Sequence, residues 1–311
     1  MVMSERPSLS PAIAYSSFPV EIFPSDHHGE GVRSKTYIPP LSLIFAEKPF
    51  GKMQTLSNKH DCLCCSACLR FLGSPILQLQ VLSKQLSRQQ LVTQFKHREH
   101  YESSLSKSGY SYSDIISCCQ DCGEFYCSID CRDNHWNNCH QLLCTGGIPD
   151  IEAESHALIQ FKIHAIATNE IFLLVADIFA NLCLEYERDE DRMKNILKIL
   201  SQYVRNRWED CAVAPLQDQG ELKETLARLV KESWTLLNSA LKLNERKLDE
   251  ALNEDFLSRT IGMFEQNNVG IRLKNPVVEY LESLSGDSED LLQILSLLKG
   301  IGVASDGDQS L

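Results

Sequence analysis

An α+β fold is predicted for this chain from three observations: strand-like runs before residue 50, a cysteine-dense stretch from Cys62 to Cys144, and helical periodicity of apolar residues after Pro149. At 311 residues and 43% hydrophobic content the chain can bury a substantial core, in one large domain or two to three smaller ones. Met1 to Phe18 lacks the basic start and apolar run of a signal peptide, and no later stretch stays uncharged long enough to span a bilayer. A soluble intracellular chain with no membrane partner is therefore expected. The formal net charge of −12 argues against direct binding to nucleic-acid phosphates and makes a basic protein tail the easier partner.

Residues 1–18 read as a flexible N-terminus. Over residues 19–50, "VEIF", Gly29-Glu30-Gly31, "VRS", Pro39-Pro40 and "LSLIFAE" read as short strands broken by turns. Residues 60–144 hold the cysteine pairs, split by an insert at 75–117 rich in Gln, Ser, Lys and His. The middle of that insert is predicted as a polar helix and its Ser- and Tyr-rich end as a loop. Residues 150–271 are predicted helical, because Phe172, Val175, Phe179 and Leu182 share one helical face, as do Ile196, Leu200 and Tyr203, and Leu226, Leu229, Trp234 and Leu237. Trp208 and Trp234 are expected in the core, Arg205, Arg207 and Lys242 on solvated helix faces. The acidic run Glu185 to Asp191 reads as a soluble connector that could attract a basic tail. Residues 272–311 form an acidic insert and tail.

Thirteen cysteines in a reducing compartment are better read as metal ligands than as disulfides. Zinc takes four tetrahedral ligands, and two thiolates two residues apart reach one metal because a tight turn presents both sulfurs on the same side. Cys65 and Cys68 form one C-x2-C, Cys119 and Cys122 a second, Cys127 and Cys131 a C-x3-C, and His140 with Cys144 an H-x3-C. Four pairs make two sites, and spacing alone leaves consecutive and interleaved pairing both open. Cys118 is an alternative to Cys119, and Cys62 offers another register with Cys65. Cys183 and Cys211 read as packed small hydrophobes. His135 reads as a surface residue, and His60, His97 and His100 carry no partner spacing. Trp136 reads as a ring packed on the last turn of a finger with little core of its own. With every position filled by protein the zinc ions are structural, not catalytic. Each structural site supplies on the order of 10 kcal/mol or more of folding energy.

The order C-x2-C, C-x2-C, "YC"-x3-C, tryptophan, H-x3-C from Cys65 to Cys144 resembles the MYND zinc finger, with a long insert. Upstream, "GEGVRSKTYIPPLSLIFAEKPF" is similar to the start of a SET domain, and a SET domain split by a MYND finger defines the SET-and-MYND lysine methyltransferases. "DCLCCSACLRFLGS", "FKIHAIATNEIFLLVADIFA", "RWEDCAVAP" and "IGMFEQNNVGI" resemble the plant Trithorax-related type, so the resemblance runs from about Gly29 to Tyr280. It implies interleaved zinc pairing: Cys65, Cys68, Cys127 and Cys131 on one ion, and Cys119, Cys122, His140 and Cys144 on the other. It also implies methyl transfer from S-adenosylmethionine to a lysine of a histone tail or another protein, in the nucleus and also the cytoplasm. Gly29, Glu30 and Gly31 match the turn that lies against the cofactor, and Asn267 and Asn268 match a cofactor-contacting asparagine segment. MYND fingers also dock proline-containing peptides, so a protein-interaction module without enzymatic activity is the alternative.

The family also uses an asparagine-histidine motif of the N-H-S-C-x-P-N kind and a tyrosine in an "I-S-Y"-like strand, and neither occurs in these 311 residues. Tyr280 has the wrong sequence context for that tyrosine, so no catalytic residue is assigned. The expectation is a truncated product that keeps finger and helices but not transferase activity, with strand edges between Val20 and Glu47 left without their usual partners.

Overall fold

A computed structural model describes residues 19–25, 29–45, 49–95, 113–213 and 218–273, with five further positions between 277 and 296. The expectations for residues 1–18, for the Ser- and Tyr-rich loop up to 112, and for most of the acidic tail lie outside the described residues. Two compact units divide the chain, Met1–Phe50 and Gly51–Leu311.

In the first unit, β1 (Val20–Ser25) pairs antiparallel with β2 (Gly29–Ser34), with Ile22 opposite Val32 and Phe23 opposite Gly31. The described part of "LSLIFAE", residues 41–45, is irregular where a strand was expected. Leu41 sits at φ 65°, a left-handed conformation that interrupts an extended run.

The second unit begins with a short helix α1 (Leu56–Lys59), followed by α2 (Pro75–Leu82) and α3 (Arg88–Phe95). A two-residue ladder then joins β3 (Ile116–Ser117) to β4 (Phe125–Tyr126). Next, α4 (Ile129–His135) runs through a π turn (Trp136–His140) into α5 (Gln141–Leu143). Further helices follow among the described residues: α6 (Asp150–Ala153), α7 (Ala157–Thr168), α8 (Ile171–Arg188), α9 (Glu190–Leu200), α10 (Trp208–Cys211), α11 (Gln219–Leu241) and α12 (Glu254–Asn267).

The insert opens on the largely buried helix α2, the polar stretch in its middle forms the helix α3, and the finger has a core of its own. Ser74 caps α2 by accepting the Leu77 N–H, and Pro75 stands in the first turn, where its missing N–H costs nothing. From there Leu77 and Val81 enter a cluster with Leu63, Leu72, Leu91, Ile115, Phe125 and Tyr126. Gln78 is buried with them because it substitutes for missing backbone partners. Its Oε1 accepts the Leu63 N–H at 2.9 Å, and its Nε2 donates to the carbonyls of Leu63 at 2.7 Å and Leu72 at 2.8 Å. The other face of α2 buries Ile76 and Leu79 against Val277 and Tyr280.

The helical part is built around α8, where Phe172, Val175, Phe179 and Leu182 are fully buried among α7, α11 and α12. Trp208 meets Phe172 edge-on at 5.2 Å, and Trp234 donates its indole N–H to the Leu252 carbonyl at 3.1 Å. Two sequence expectations change here. Glu185, expected in a solvated connector, is buried and ion-paired to Arg188 and Arg192, each at 2.5 Å. Arg207 pairs with Glu209 at 2.7 Å and Arg205 lies 4.9 Å over the Phe256 ring, so neither is simply solvated. Helix α9 ends at Leu200, and Tyr203 beyond it is exposed. Among the described residues no helix is long and apolar enough to cross a membrane.

Replacing Gln78 by Leu keeps the volume but strands two buried backbone groups, the Leu63 N–H and the Leu72 carbonyl; the Leu63 carbonyl keeps its bond from the Leu72 N–H at 3.0 Å. We expect the Gln78→Leu chain to lose about 2–3 kcal/mol of stability, read as a lower midpoint in urea unfolding followed by finger tryptophan fluorescence. An unchanged midpoint would mean that the amide does not brace Leu63 and Leu72.

Candidate metal centres

Two groups of four side chains bring their ligand atoms within 4.8 Å of one another: Cys65, Cys68, Cys127 and Cys131, and Cys118, Cys122, His140 and Cys144. In the first, Cys127 Sγ lies 3.5 Å from the sulfurs of both Cys68 and Cys131. In the second, Cys118 Sγ is 3.8 Å from Cys144 Sγ, and the Nε2 of His140 is 3.4 Å from Cys118 and 3.3 Å from Cys122. A zinc tetrahedron with its usual bond lengths has S–S edges of about 3.8 Å and S–N edges of about 3.5 Å. Both groups therefore fit zinc, and either could bind it.

Local backbone structure explains the convergence. After Cys68 the chain reverses at Leu69 (φ 65°), whose N–H bonds the Cys65 carbonyl at 2.8 Å, so both sulfurs point to one side. Ser128 caps α4 and accepts the Cys131 N–H at 3.1 Å, which sets Cys131 one turn from Cys127. The Ser66 N–H bonds the Phe125 carbonyl at 2.8 Å, tying the first knuckle to β4 and so to Cys127. Across β3 and β4, the Cys118 N–H bonds the Glu124 carbonyl at 2.9 Å and closes the second knuckle through Asp121 at φ 51°. Gly146 packs on that knuckle so closely that a Cβ there would come within 1.8 Å of the Gln120 carbonyl oxygen. First and third pairs thus form one group, second and fourth the other.

Cys119 is not in the second group; Cys118 takes its place. Cys118 follows β3 directly and is buried facing Cys122, whereas Cys119 is exposed on the outside of the turn. Cys62 stays outside as well, 3.7 Å from Cys64. Hydrogen bonds from Cys118 and Cys122 push the Cys144 thiol down to about 3, while Cys118 and burial push Cys122 far up. Four such groups cannot all ionise together without a cation between them.

His135 is not a surface residue. Its Nδ1 is 3.0 Å from the Tyr126 hydroxyl, its ring stacks on His140 at 5.0 Å, and burial pushes its pKa down to about 4. Trp136 packs on the finger core and meets His140 edge-on at 5.9 Å, as the sequence suggested. The finger is stitched to the helices by Asn181, which donates to the Asn138 carbonyl at 2.9 Å, and by Glu170, which accepts the Leu56 N–H at 2.7 Å.

The residues proposed for the cofactor have local structural duties. Gly31 lies under Phe23 of β1, and a Cβ there would meet the ring at 2.8 Å. Gly29 and Glu30 pair with Ser25 and Pro24 in the same ladder. Asn267 ends α12 and donates its amide to the carbonyls of Met263 at 2.7 Å and Val204 at 3.1 Å, and Asn268 is exposed beyond it.

The fold and the two ligand groups define a cross-braced, cysteine-rich finger carried on a helical scaffold, of the kind that binds structural zinc. Two curated proteins are similar to this chain, and both are named as lysine methyltransferases. Histone-lysine N-methyltransferase ATXR2 of Arabidopsis thaliana is 27% identical over 315 residues, covering 81% of this chain and 64% of that protein. Protein-lysine N-trimethyltransferase SMYD5 of Gallus gallus is 27% identical over 237 residues, covering 73% of this chain and 52% of that protein. The chain thus spans less than two thirds of the length of either relative. No family model matches the chain, and no solved structure does.

The swap of Cys118 for Cys119 is directly testable. Cys118→Ser should bind one zinc fewer per chain than the parent, whereas Cys119→Ser should bind the same number, measured by inductively coupled plasma mass spectrometry on desalted protein. Chelation should in turn raise amide hydrogen exchange across residues 63–144 by at least tenfold, with α8 and α12 retaining their protection.

Proposed function

We propose that this chain is a protein-lysine methyltransferase of the SET-and-MYND type in which both zinc ions are structural. The observation that carries the reading is the interleaved ligand order in a chain whose curated relatives are lysine methyltransferases. In the family reaction the lysine ε-amine attacks the sulfonium methyl of S-adenosylmethionine in line; an N–C bond forms, the S–C bond breaks, and the amine proton leaves to solvent. That step requires alignment and a narrow channel more than a covalent catalyst. Gly29, Glu30 and Gly31 would lie against the cofactor, and a histone tail or another lysine-bearing protein would be the substrate, with the nucleus as its place of action. The net charge of −12 favours such a basic partner.

These 311 residues contain no motif of the N-H-S-C-x-P-N kind, and Tyr280 is buried against Ile76 and Leu79. That favours a second reading for this stretch of chain: the finger acts as a docking surface for proline-containing peptides, and methyl transfer needs groups these residues do not supply. Two measurements separate the readings. The methyltransferase reading predicts that the purified chain binds S-adenosylmethionine by calorimetry and transfers radiolabel to histones above a zinc-stripped control; the docking reading predicts neither. Transfer above the control would overturn the docking reading and establish activity within these residues.

A further inference from the structure

We propose that His135, Cys139 and Asp177 form a third metal-binding site, for a divalent ion of zinc-like softness, with one coordination position open to a solvent-accessible cleft. Their ligand atoms lie within 4.8 Å of one another, and none of the three belongs to the two closed groups. Each comes from a different rigid element: His135 from the last turn of α4, Cys139 from the π turn and Asp177 from α8.

The surroundings fit a cation. With Nδ1 of His135 held by the Tyr126 hydroxyl at 3.0 Å, Nε2 is the ring nitrogen left for a metal, which is how ligating histidines are oriented by an outer partner. Cys139 Sγ has only a long contact, 3.8 Å, to the His135 carbonyl. Asp177 lines a cavity of about 260 Å³ and makes no hydrogen bond or ion pair among the described residues. Three lysines, Lys52, Lys59 and Lys162, line the same cavity, and none makes an ion pair with Asp177 among the described residues. Lys59 pairs with Glu124 at 2.6 Å, and Lys162 donates to the Leu143 carbonyl at 2.7 Å. A carboxylate turned into a cavity without a partner is costly, and a bound cation removes that cost.

The donor set selects the ion. One thiolate, one imidazole and one carboxylate suit zinc and other borderline metals and are a poor site for magnesium or calcium, which require oxygen cages. In a zinc tetrahedron the edges between such donors are about 3.4–3.6 Å, so the three side chains would close by no more than about 1.4 Å around the ion. Three protein ligands leave a fourth position, and His135 and Asp177 face the cavity from which water or a small anion would fill it. The two groups of four are closed by protein; this site is not.

Metal content of the full chain tests the proposal. The parent chain saturated with zinc and desalted should hold three equivalents, and Asp177→Asn and Cys139→Ser should each hold two, with unchanged far-ultraviolet circular dichroism. The third equivalent should leave first in a chelator-release time course. A parent chain with two equivalents, or both variants retaining all three, would overturn the site. If Cys139→Ser disturbs the fold, cobalt(II) added to the two-zinc parent chain decides: it should bind one to one with a thiolate-to-cobalt charge-transfer band, and no band means no site. The outcome is separable from the two-zinc reading, since loss of one equivalent in Asp177→Asn leaves all eight other ligands in place.

Discussion

Eight thiol and imidazole groups from two distant stretches of chain meet as two interleaved tetrahedra, and the architecture of the second unit depends on that meeting. The first stretch, around Cys65 and Cys68, has no secondary structure capable of fixing it. It is positioned by the Ser66–Phe125 backbone hydrogen bond, by sulfur contacts to Cys127 and Cys131, and by Gln78 holding its backbone from α2. Crossing the pairs in this way joins the first knuckle to Cys127 and Cys131, which lie inside the loop that the second group closes between Cys122 and His140. Consecutive pairing would instead give two beads on a string.

Around this brace the finger accumulates an apolar core that small zinc modules usually lack. The insert between the knuckles supplies much of it, through Leu77, Val81 and Leu91 packed on Phe125 and Tyr126. The finger then joins the helices through polar contacts to backbone carbonyls. Because Asn138 and Leu143 offer theirs to Asn181 on α8 and Lys162 on α7, the scaffold reads the backbone of the metal-bearing turn. Loosening the metal ligands would release these two contacts and leave the buried face of α8, which organises the helical part, in place.

Much of this was legible from residue patterns, and the exceptions have physical causes. The helices α8, α11 and α12 announce themselves because one apolar stripe at helical period faces a common core. Seven of the eight converging ligands follow from spacing, but Cys118 and Cys119 differ only in which side of a strand end they face, and a two-residue strand gives too short an alternation to read. The insert misleads because Gln78 looks polar while its amide replaces backbone partners inside the core. Arg205, Arg207 and Glu185 mislead for the converse reason: Arg205 meets Phe256, Arg207 also reaches Asp255 and Glu185 pairs with Arg192, each on another element, and sequence spacing carries no trace of that. His135 is hidden by its neighbour Trp136, the stronger family signal, although a histidine four residues before a cysteine on a helical turn was a readable cue.

The pairing of ligands is the claim on which the rest stands, and cadmium-113 NMR reads it directly. In the cadmium-substituted chain, proton–cadmium correlation should connect the β-protons of Cys65, Cys68, Cys127 and Cys131 to one cadmium resonance, and those of Cys118, Cys122 and Cys144, with the His140 ring, to another. Correlation of Cys65 and Cys68 with the same cadmium as Cys118 and Cys122 would contradict the cross-brace and the account built on it.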